Sequence, residues 1–251
     1  MKKVVYYLLL VVFIGVFAFS AWQIVDYMLE KKESTDSTDQ ALEFVQVPDI
    51  PENQPEQDKE NFEPERIKVD FDALTKLNDD VVAWIYGAYT HLNYPIVQGD
   101  DNDYYLYRLL DGSSNSNGTL FMDYRNDGGF TNQNTLIYGH NMKSGNMFGR
   151  LEDYKDPNYY KEHPYLYLMT PQQDYRLELF AGFVCDHDAD VYSFELSQDY
   201  LASCMRRSTF TAHVELPAPD DKIVTLSTCS YEYEDARYVV MGTLTPIDKL
   251  A

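Results

Sequence analysis

The sequence predicts a mainly β fold, in which a closed or nearly closed β-barrel of eight strands follows a membrane-spanning helix. Eight short runs rich in Val, Ile, Tyr, Phe and Thr lie within residues 67–251, bounded by Gly, Asn, Asp and Pro. This is the pattern of strands separated by turns. Helical patterns do not alternate regularly with these runs, which disfavours a doubly wound parallel sheet and favours a barrel.

The strands are predicted from the β-branched and aromatic residues in these eight runs. Their expected bounds are Val81–Tyr86, Leu92–Val97, Thr119–Asp123, Thr135–Tyr138, Tyr165–Met169, Arg176–Val184, Ile223–Ser227 and Tyr238–Thr245.

A short N-terminal helix is predicted over Asp70–Asn78, where apolar residues recur at helical spacing. A second helix is expected over Ser197–Arg207, before the last two strands, with Ser197 as its N-cap. Two further helical segments are predicted at Asp103–Leu110 and Phe148–Tyr154.

The N-terminus carries a candidate membrane anchor. An uncharged run, Val4–Ala21, follows Lys2 and Lys3 and continues with apolar residues almost to Asp26, which is enough to cross a bilayer core as a helix. The two lysines predict a cytoplasmic N-terminus and an external remainder. The alternative is a cleaved signal peptide with a small-residue site at Ala18-Phe19-Ser20. Because the apolar run is longer than a usual signal-peptide core, we favour an uncleaved anchor over residues 1–29.

Residues 30–66 differ in composition from both neighbours. They are rich in Glu, Asp, Gln, Ser and Thr, contain four prolines and have few apolar residues. Such a segment buries too little surface to offset its ordering entropy, so we expect a flexible acidic spacer. The alternative is an acidic segment that binds cations or a basic partner. The catalytic candidates all lie in the folded domain expected over residues 67–251.

Composition excludes some functions. The chain has 20 Lys and Arg against 41 Asp and Glu, a net charge of −21, so we expect no nucleic-acid partner. Its three cysteines cannot form a disulfide framework.

One cysteine stands at a strand end beside a candidate cation. Cys229 closes the run from Ile223, and Arg237 opens the next strand after a short acidic turn. Two antiparallel strands joined by that turn would bring Cys229 and Arg237 side by side, where a cation favours thiolate or donates hydrogen bonds to an oxyanion. Cys185 and Cys204 lie within an apolar strand and a helix, which is typical of core residues.

The histidines offer one candidate partner for the thiol. His140 ends a strand in the run Leu136–Met142, next to Gly139, although a structural histidine is the alternative. His187, in the run Cys185–Asp188, superficially resembles part of a metal cluster, but no second ligand pair stands at zinc-like spacing. We therefore predict no metal site and no cofactor.

Together these fragments resemble the sortase family. TLSTC at Thr225–Cys229 is similar to the family's TLxTC motif, Arg237 opens the following strand, and His140 matches the family's upstream catalytic histidine. The resemblance extends from about Phe71 to Thr245 and implies a sortase-type barrel.

Four segments resemble the class B sortases in particular, and the short turn between Cys229 and Arg237 fits that class too. The segments are Asp79–Ile85, Asn93–Leu106, Gly139–Tyr154 and Ser197–Arg207.

The resemblance implies a cysteine transpeptidase that joins surface proteins to the cell wall. Cys229 would attack the carbonyl after Thr in a C-terminal sorting motif, NPxTx-like in class B, and a peptidoglycan precursor amine would resolve the thioester. His140 would act as general acid and then general base, and Arg237 would stabilise the oxyanion or hold the peptide. The expected partners are therefore surface proteins with a sorting signal, a peptidoglycan precursor amine and the membrane.

Substrate contacts are expected close to these three residues. Leu226, Ser227 and Thr228 precede Cys229 and either line the peptide groove or belong to the core. Tyr138 shares a strand face with His140, two residues away, and Asn93 is a further candidate.

Two other functions stay open at this point. A cell-wall cysteine peptidase would use the same Cys and His with water as acceptor, although papain-like enzymes place Cys before His in the sequence. A surface-anchored adhesin would hold Cys229 as a structural residue. Alkylation of the thiol would inactivate either enzyme and leave an adhesin binding.

Overall fold

The computed structural model describes residues 2–46, 67–88 and 90–249. Its strands are β1 (Val45–Gln46), β2 (Lys68–Val69), β3 (Val81–Tyr86), β4 (Asn93–Val97), β5 (Leu120–Met122), β6 (Asn134–Tyr138), β7 (Tyr165–Met169), β8 (Asp174–Asp186), β9 (Ile223–Cys229) and β10 (Ala236–Ile247). Its α-helices are α1 (Lys2–Leu42), α2 (Phe71–Leu77), α3 (Pro157–Glu162) and α4 (Gln198–Arg207), with 3₁₀ turns at Tyr105–Tyr107, Leu151–Lys155 and Asp190–Tyr192.

The strands β3 to β10 close an eight-stranded barrel, as predicted. Their order around the barrel is β10-β8-β7-β3-β4-β5-β6-β9, and β9 pairs back onto β10. Most pairs are antiparallel, but β4 with β5 and β6 with β9 are parallel. The parallel pairing of β6 with β9 matters most for function, because it sets the C-terminal ends of these two strands side by side.

All eight predicted barrel strands are present; β3 and β7 have the predicted bounds, and the other six differ at one or both ends. The strands β8 and β10 are the longest, at 13 and 12 residues. They pair with each other from Asp174 opposite Ile247 to Asp186 opposite Ala236. This long ladder, whose register shifts once between Met241 and Gly242, pairs the backbone groups of the polar residues at its ends. β-propensity alone does not place those residues in strands.

The predicted helix over Asp103–Leu110 is wrong in extent, because only Tyr105–Tyr107 forms a 3₁₀ turn. The backbone beyond it bonds to a returning segment instead: Asn115 N donates to Tyr107 O and Leu109 N donates to Ser113 O. The segment predicted at Phe148–Tyr154, in contrast, does form a helical turn, the 3₁₀ turn Leu151–Lys155, which begins three residues later than expected.

The two predicted helices α2 and α4 are confirmed, and Ser197 is the N-cap of α4 as expected. Asp70 accepts a hydrogen bond from Ala73 N at the start of α2. Ser197 accepts one from Tyr200 N at the start of α4. Each cap satisfies a backbone N–H that the first helical turn leaves without a partner.

Side chains alternate between the inside and the outside of the barrel. On β9, Val224 and Leu226 lie in the cluster that fills the barrel, whereas Ile223 lies in an outer cluster covered by α4. Because successive side chains on a strand point to opposite faces, Cys229 shares the outer face with Ile223. The Cys229 thiol therefore points to the outside of the barrel, at the end of β9.

The N-terminal helix is long and apolar enough, over its first part, to cross a membrane. It then continues through the first part of the predicted spacer to Leu42, where we expected a flexible chain. Ser34 and Ala41 are buried, and Ser37 and Thr38 half-buried, so these small residues form one helical stripe.

The stripe packs on the barrel, which corrects the expectation of a flexible spacer for residues 30–42. Ser34, Ser37 and Thr38 face Tyr94 and Pro95 of the barrel across a small cleft. Asn115 Nδ2 donates to Glu30 O at 2.9 Å on the same side. Composition alone did not predict this packing, because small polar residues at helical spacing can contact the barrel without forming a hydrophobic run. The rest of the predicted spacer, residues 47–66, lies outside the described residues.

Candidate active site

Cys229 differs from the other two cysteines in exposure. It is the last residue of β9 and is half-buried, whereas Cys185 and Cys204 are buried. Burial raises the pKa of the Cys185 thiol to about 11. Burial also raises the pKa of the Cys204 thiol. Since the thiolate is the nucleophile, these two buried thiols are poorly suited to attack a substrate.

Arg237 lies directly opposite Cys229 across the β9–β10 ladder. Ser230 N donates to Ala236 O at 2.9 Å, so the adjacent pair, Cys229 and Arg237, is a non-hydrogen-bonded pair. In such pairs the Cα atoms are about 4.5 Å apart and the side chains are at their closest. The sequence therefore placed these two residues correctly side by side.

The guanidinium of Arg237 is held at this end of the barrel by its own backbone. Arg237 Nη1 donates to Ala236 O at 3.0 Å. None of the carboxylates in the described part of the chain forms an ion pair with Arg237. The cation is thus available to a negatively charged group that forms next to Cys229.

His140 is brought to the level of Cys229 by the parallel pairing of β6 with β9. Tyr138 pairs with Ser227, and Gly139 N donates to Ser227 O at 3.1 Å. Two residues beyond this pair, His140 lies just after the end of β6 and Cys229 is the last residue of β9, so both are at the same end of the barrel. Both lie on the outer face, because Tyr138 packs against an outer cluster and His140 has the same parity.

The imidazole of His140 is oriented by the 3₁₀ turn before β5. Its Nε2 lies 2.8 Å from Leu106 O, and its ring lies 6.4 Å, centroid to centroid, from the exposed ring of Tyr107. Two hydrogen bonds tie the ends of β6 and β9 together: Thr228 Oγ1 donates to Gly139 O at 2.7 Å, and Asn141 Nδ2 donates to Cys229 O at 2.8 Å. The histidine is therefore held from both sides.

Of the residues expected to contact substrate, Ser227 and Tyr138 lie on the same outer face. The Ser227 hydroxyl is 2.9 Å from the hydroxyl of Tyr192, and the Tyr138 ring stacks on Tyr192 at 6.3 Å. Leu226 lies in the barrel core, and Thr228 has the same inward parity, so the structure favours the core alternative for these two.

Asn93 has a partner within the protein. Its Oδ1 accepts a hydrogen bond from the buried Trp84 indole at 2.7 Å. This bond satisfies a polar group that would otherwise be buried without a partner, so the side chain supports the barrel wall.

A buried carboxylate, that of Asp123, accepts a hydrogen bond from Tyr138. Asp123 is fully buried and accepts hydrogen bonds from Arg125, Asn102 and the Tyr138 hydroxyl. Burial alone would raise the pKa of Asp123, but the hydrogen bonds from Arg125 and Asn102 lower it overall. Burial and the neighbouring Asp123 raise the pKa of Tyr138, which therefore stays a neutral hydrogen-bond donor.

Sequence patterns missed three groups at this site. Tyr192 lies in the loop after β8, far from Cys229 in sequence, and the carbonyl of Leu106 carries no side-chain signal. Asn141, in contrast, directly follows His140 and is a polar residue at a strand end, which is the kind of position that could have identified it.

A family model described as a sortase domain matches residues 88–245. The chain is 36% identical over 245 residues to the curated Sortase B of Listeria monocytogenes, covering 94% of this chain and 95% of that protein. A Bacillus anthracis structure described as similar to sortase B has 33% identity and a TM-score of 0.69, covering 86% of this chain and 98% of that one. A Staphylococcus aureus sortase B–substrate complex has 31% identity and a TM-score of 0.67, covering 71% and 85%.

Proposed function

This chain belongs to the sortase family and is a class B sortase, a cysteine transpeptidase, and on that premise we propose that Cys229, His140 and Arg237 are its catalytic residues. Sortases act on surface proteins that carry a sorting signal. The observation that carries the assignment is one of position: one half-buried thiol, one oriented imidazole and one cation lie at the same barrel end and on the same face.

The first half of the reaction is acyl transfer to the enzyme. The Cys229 thiolate attacks the carbonyl carbon of the Thr residue in the sorting motif, and the carbonyl oxygen becomes an oxyanion. Arg237 donates hydrogen bonds to that oxyanion. As the C–N bond breaks, protonated His140 gives its proton to the leaving amine, and a thioester on Cys229 remains.

The second half transfers the acyl group to an amine of a peptidoglycan precursor. Neutral His140 removes a proton from the incoming amine as its nitrogen attacks the thioester carbonyl. The tetrahedral intermediate collapses with the Cys229 thiolate as leaving group, and a new amide bond joins the surface protein to the acceptor.

We assign the Nδ1 atom of His140 to these proton transfers. The carbonyl of Leu106 is only an acceptor, so Nε2, at 2.8 Å from it, carries a hydrogen in both protonation states of the ring. The atom that gains and loses a proton is then Nδ1.

The proposed substrate groove runs along the outer face beside Cys229. Tyr138 and Tyr192 provide two stacked rings on that face, and the hydroxyls of Tyr192 and the buried Ser227 lie beside them. Hydroxyls suit the polar residues of an NPxTx-like motif, and the rings offer a rigid apolar surface for its backbone. In this proposal Leu226, Thr228 and Asn93 support the barrel wall beside the groove and do not contact the substrate.

The proposed placement of the protein is a single pass with a cytoplasmic N-terminus. The apolar first part of α1 is the membrane span, and Lys2 and Lys3 stay on the cytoplasmic side. The domain organisation follows: residues 1–29 form the anchor, residues 30–66 the connection and residues 67–251 the external catalytic domain.

Trapping the acyl-enzyme tests this assignment. The full chain in detergent micelles is mixed with an NPQTN-type peptide in the absence of an amine, quenched in acid and analysed by mass spectrometry. We expect a thioester between Cys229 and the peptide fragment ending in Thr, and a released C-terminal fragment. An adduct on another residue, or cleavage by Cys229→Ala, would refute the assignment. Cleavage that persists as hydrolysis when amines are supplied would favour a cell-wall peptidase.

A further inference from the structure

The last backbone hydrogen bond between β6 and β9 lies one step before the catalytic pair. Gly139 N donates to Ser227 O at 3.1 Å. Alternate carbonyls of a strand point to the same neighbour, so the next β9 carbonyl directed towards β6 is that of Cys229. A continuing β6 would supply a backbone N–H there.

The chain leaves β6 before it can provide that donor. His140 O accepts from Phe148 N at 3.1 Å, and Asn141 forms an isolated bridge with Met147, so the backbone turns into a tight loop. The side chain of Asn141 occupies the vacant place instead, with Nδ2 donating to Cys229 O at 2.8 Å. The ladder is thus extended by one side-chain hydrogen bond, at the position where His140 and Cys229 stand side by side.

A carboxylate fixes the orientation of this amide. Glu152 Oε2 accepts from the same Asn141 Nδ2 at 2.9 Å. The nitrogen end of the amide, and not its oxygen, is therefore directed at the two acceptors.

Glu152 is itself anchored to the turn that follows Cys229. Its Oε1 accepts from the Ser230 hydroxyl at 2.6 Å, immediately after Cys229, and it pairs with Lys155, which also contacts Glu232. Burial alone would raise the pKa of Glu152, but hydrogen bonds from Lys155, Ser230 and Asn141 lower it overall, which keeps this acceptor ionised.

We propose that Asn141 is a positioning residue of the catalytic site. Its amide hydrogen bond to Cys229 O fixes the end of β9 and so sets the position of the thiol relative to His140. Glu152 holds that amide, and through Ser230 and Lys155 it holds the turn that follows Cys229. The proposal rests on the proposed function, because Cys229 and His140 are the pair that Asn141 aligns.

The proposal is tested with the full chain in detergent micelles and two readouts. The first is amine-dependent turnover of an NPQTN-type peptide, resolved into kcat and KM. The second is the rate at which iodoacetamide alkylates Cys229 over about pH 5 to pH 9, followed by peptide mass spectrometry, which reports on the coupling of thiol and imidazole. The variants are Asn141→Ala, Asn141→Asp and Asn141→Gln, with the exposed Asn158→Ala as matched control.

We expect Asn141→Ala and Asn141→Asp to lower kcat by about 10- to 100-fold, since small misalignments of reacting groups have effects of this size. The pH profile of alkylation should shift in the same two variants. Asn141→Gln keeps an amide donor and should recover part of the rate, and Asn158→Ala should match the wild type. If Asn141→Ala does not fold, the comparison of Asn141→Asp with Asn141→Gln decides, because both retain a polar side chain but only Gln retains the amide donor.

The proposal is overturned if Asn141→Ala and Asn141→Asp match Asn158→Ala in both turnover and alkylation profile, or if Asn141→Gln is no better than Asn141→Asp. Failure of the proposed function has a different signature. In that case Cys229→Ala keeps its turnover, whatever the Asn141 variants do.

Discussion

His140 Nε2 lies 2.8 Å from the carbonyl oxygen of Leu106. Because a carbonyl oxygen only accepts, the contact assigns the hydrogen of the neutral ring to Nε2, which leaves Nδ1 as the proposed site of proton transfer. It also links the histidine to the 3₁₀ turn Tyr105–Tyr107, which no sequence motif connects with it. The backbone around Leu106 is therefore part of what supports the site.

Loss of the imidazole should remove most of the turnover. We expect His140→Ala to reduce kcat/KM for a sorting peptide by about 10²- to 10⁴-fold, the usual contribution of a general acid–base group. The matched control is His91→Ala, since His91 is exposed. Equal activity of the two variants in a steady-state assay would exclude His140 from proton transfer.

A glycine next to Leu106 gives a second test of this support. Gly118 has a φ of +60°, and a Cβ at this position would lie 2.6 Å from Leu106 O. We expect Gly118→Ala to destabilise the fold by about 1–3 kcal/mol, through backbone strain, and to displace the carbonyl that holds His140. Thermal unfolding and peptide turnover measure the two effects.

Gly129→Ala is the matched control for this change, because a Cβ there meets only ordinary contacts at 3.5 Å or more. If Gly118→Ala retains wild-type kcat at a temperature where it is folded, the Leu106 carbonyl does not govern His140.

The planar donor group of Arg237 should matter as well as its charge. Lys has a single ammonium and cannot present the two parallel N–H groups of a guanidinium. We expect Arg237→Lys to lower kcat/KM on the order of 10²-fold, as for the loss of an oxyanion donor. Arg206→Lys, on the exposed face of α4, should retain full activity in the same assay. Near-normal kinetics of Arg237→Lys would reduce Arg237 to a structural residue.

The buried Asp123 predicts a loss of stability in acid. Its pKa in the folded protein is lower than the ordinary value of 3.8, because the hydrogen bonds from Arg125 and Asn102 outweigh burial. The unfolded chain then binds the proton more readily, so the stabilisation is present above pH 3.8 and is lost as the pH falls below that value.

We expect Asp123→Asn to destabilise the fold at neutral pH by about 1–3 kcal/mol, through weakened hydrogen bonds to Arg125 and Tyr138. The difference from the wild type should shrink in acid, when thermal unfolding is compared at several pH values. Asp188→Asn, at an exposed position, is the control. A difference that stays constant with pH would contradict the assigned ionisation of Asp123.

Local patterns in the sequence predicted part of this site. The run from Ile223 to Cys229, a short turn and a strand starting near Arg237 define a hairpin, and a hairpin sets its facing ends opposite each other. Ser197 as the N-cap of α4 follows from the same kind of local signal.

Non-local features were beyond the reach of these patterns. The pairing of β6 with β9 joins segments about ninety residues apart, as in the hydrogen bond from Gly139 to Ser227. Nothing in either strand specifies its partner, because parallel neighbours are chosen by the closure of the whole barrel. The resemblance to sortases is what made His140 the catalytic candidate, because local physics left a structural histidine as the alternative.

The docking of α1 on the barrel was missed for a related reason. Composition measures how much apolar surface a segment has, whereas Ser34 and Ala41 are buried because they are small and lie on one helical face. The described helix therefore continues past its apolar first part and contacts the barrel, and full-length protein is the appropriate material for functional assays.

The most direct test of the account is transpeptidation by Cys229. The full chain in detergent micelles is incubated with an NPQTN-type and an LPxTG-type peptide, with and without an oligoglycine amine, and the products are identified by mass spectrometry. Wild type and the control Cys204→Ala should give an amine-dependent ligation product cleaved after Thr, from the NPQTN-type peptide, and Cys229→Ala should give none. Ligation by Cys229→Ala, or cleavage without ligation at saturating amine and wall-derived acceptor, would contradict transpeptidation by Cys229.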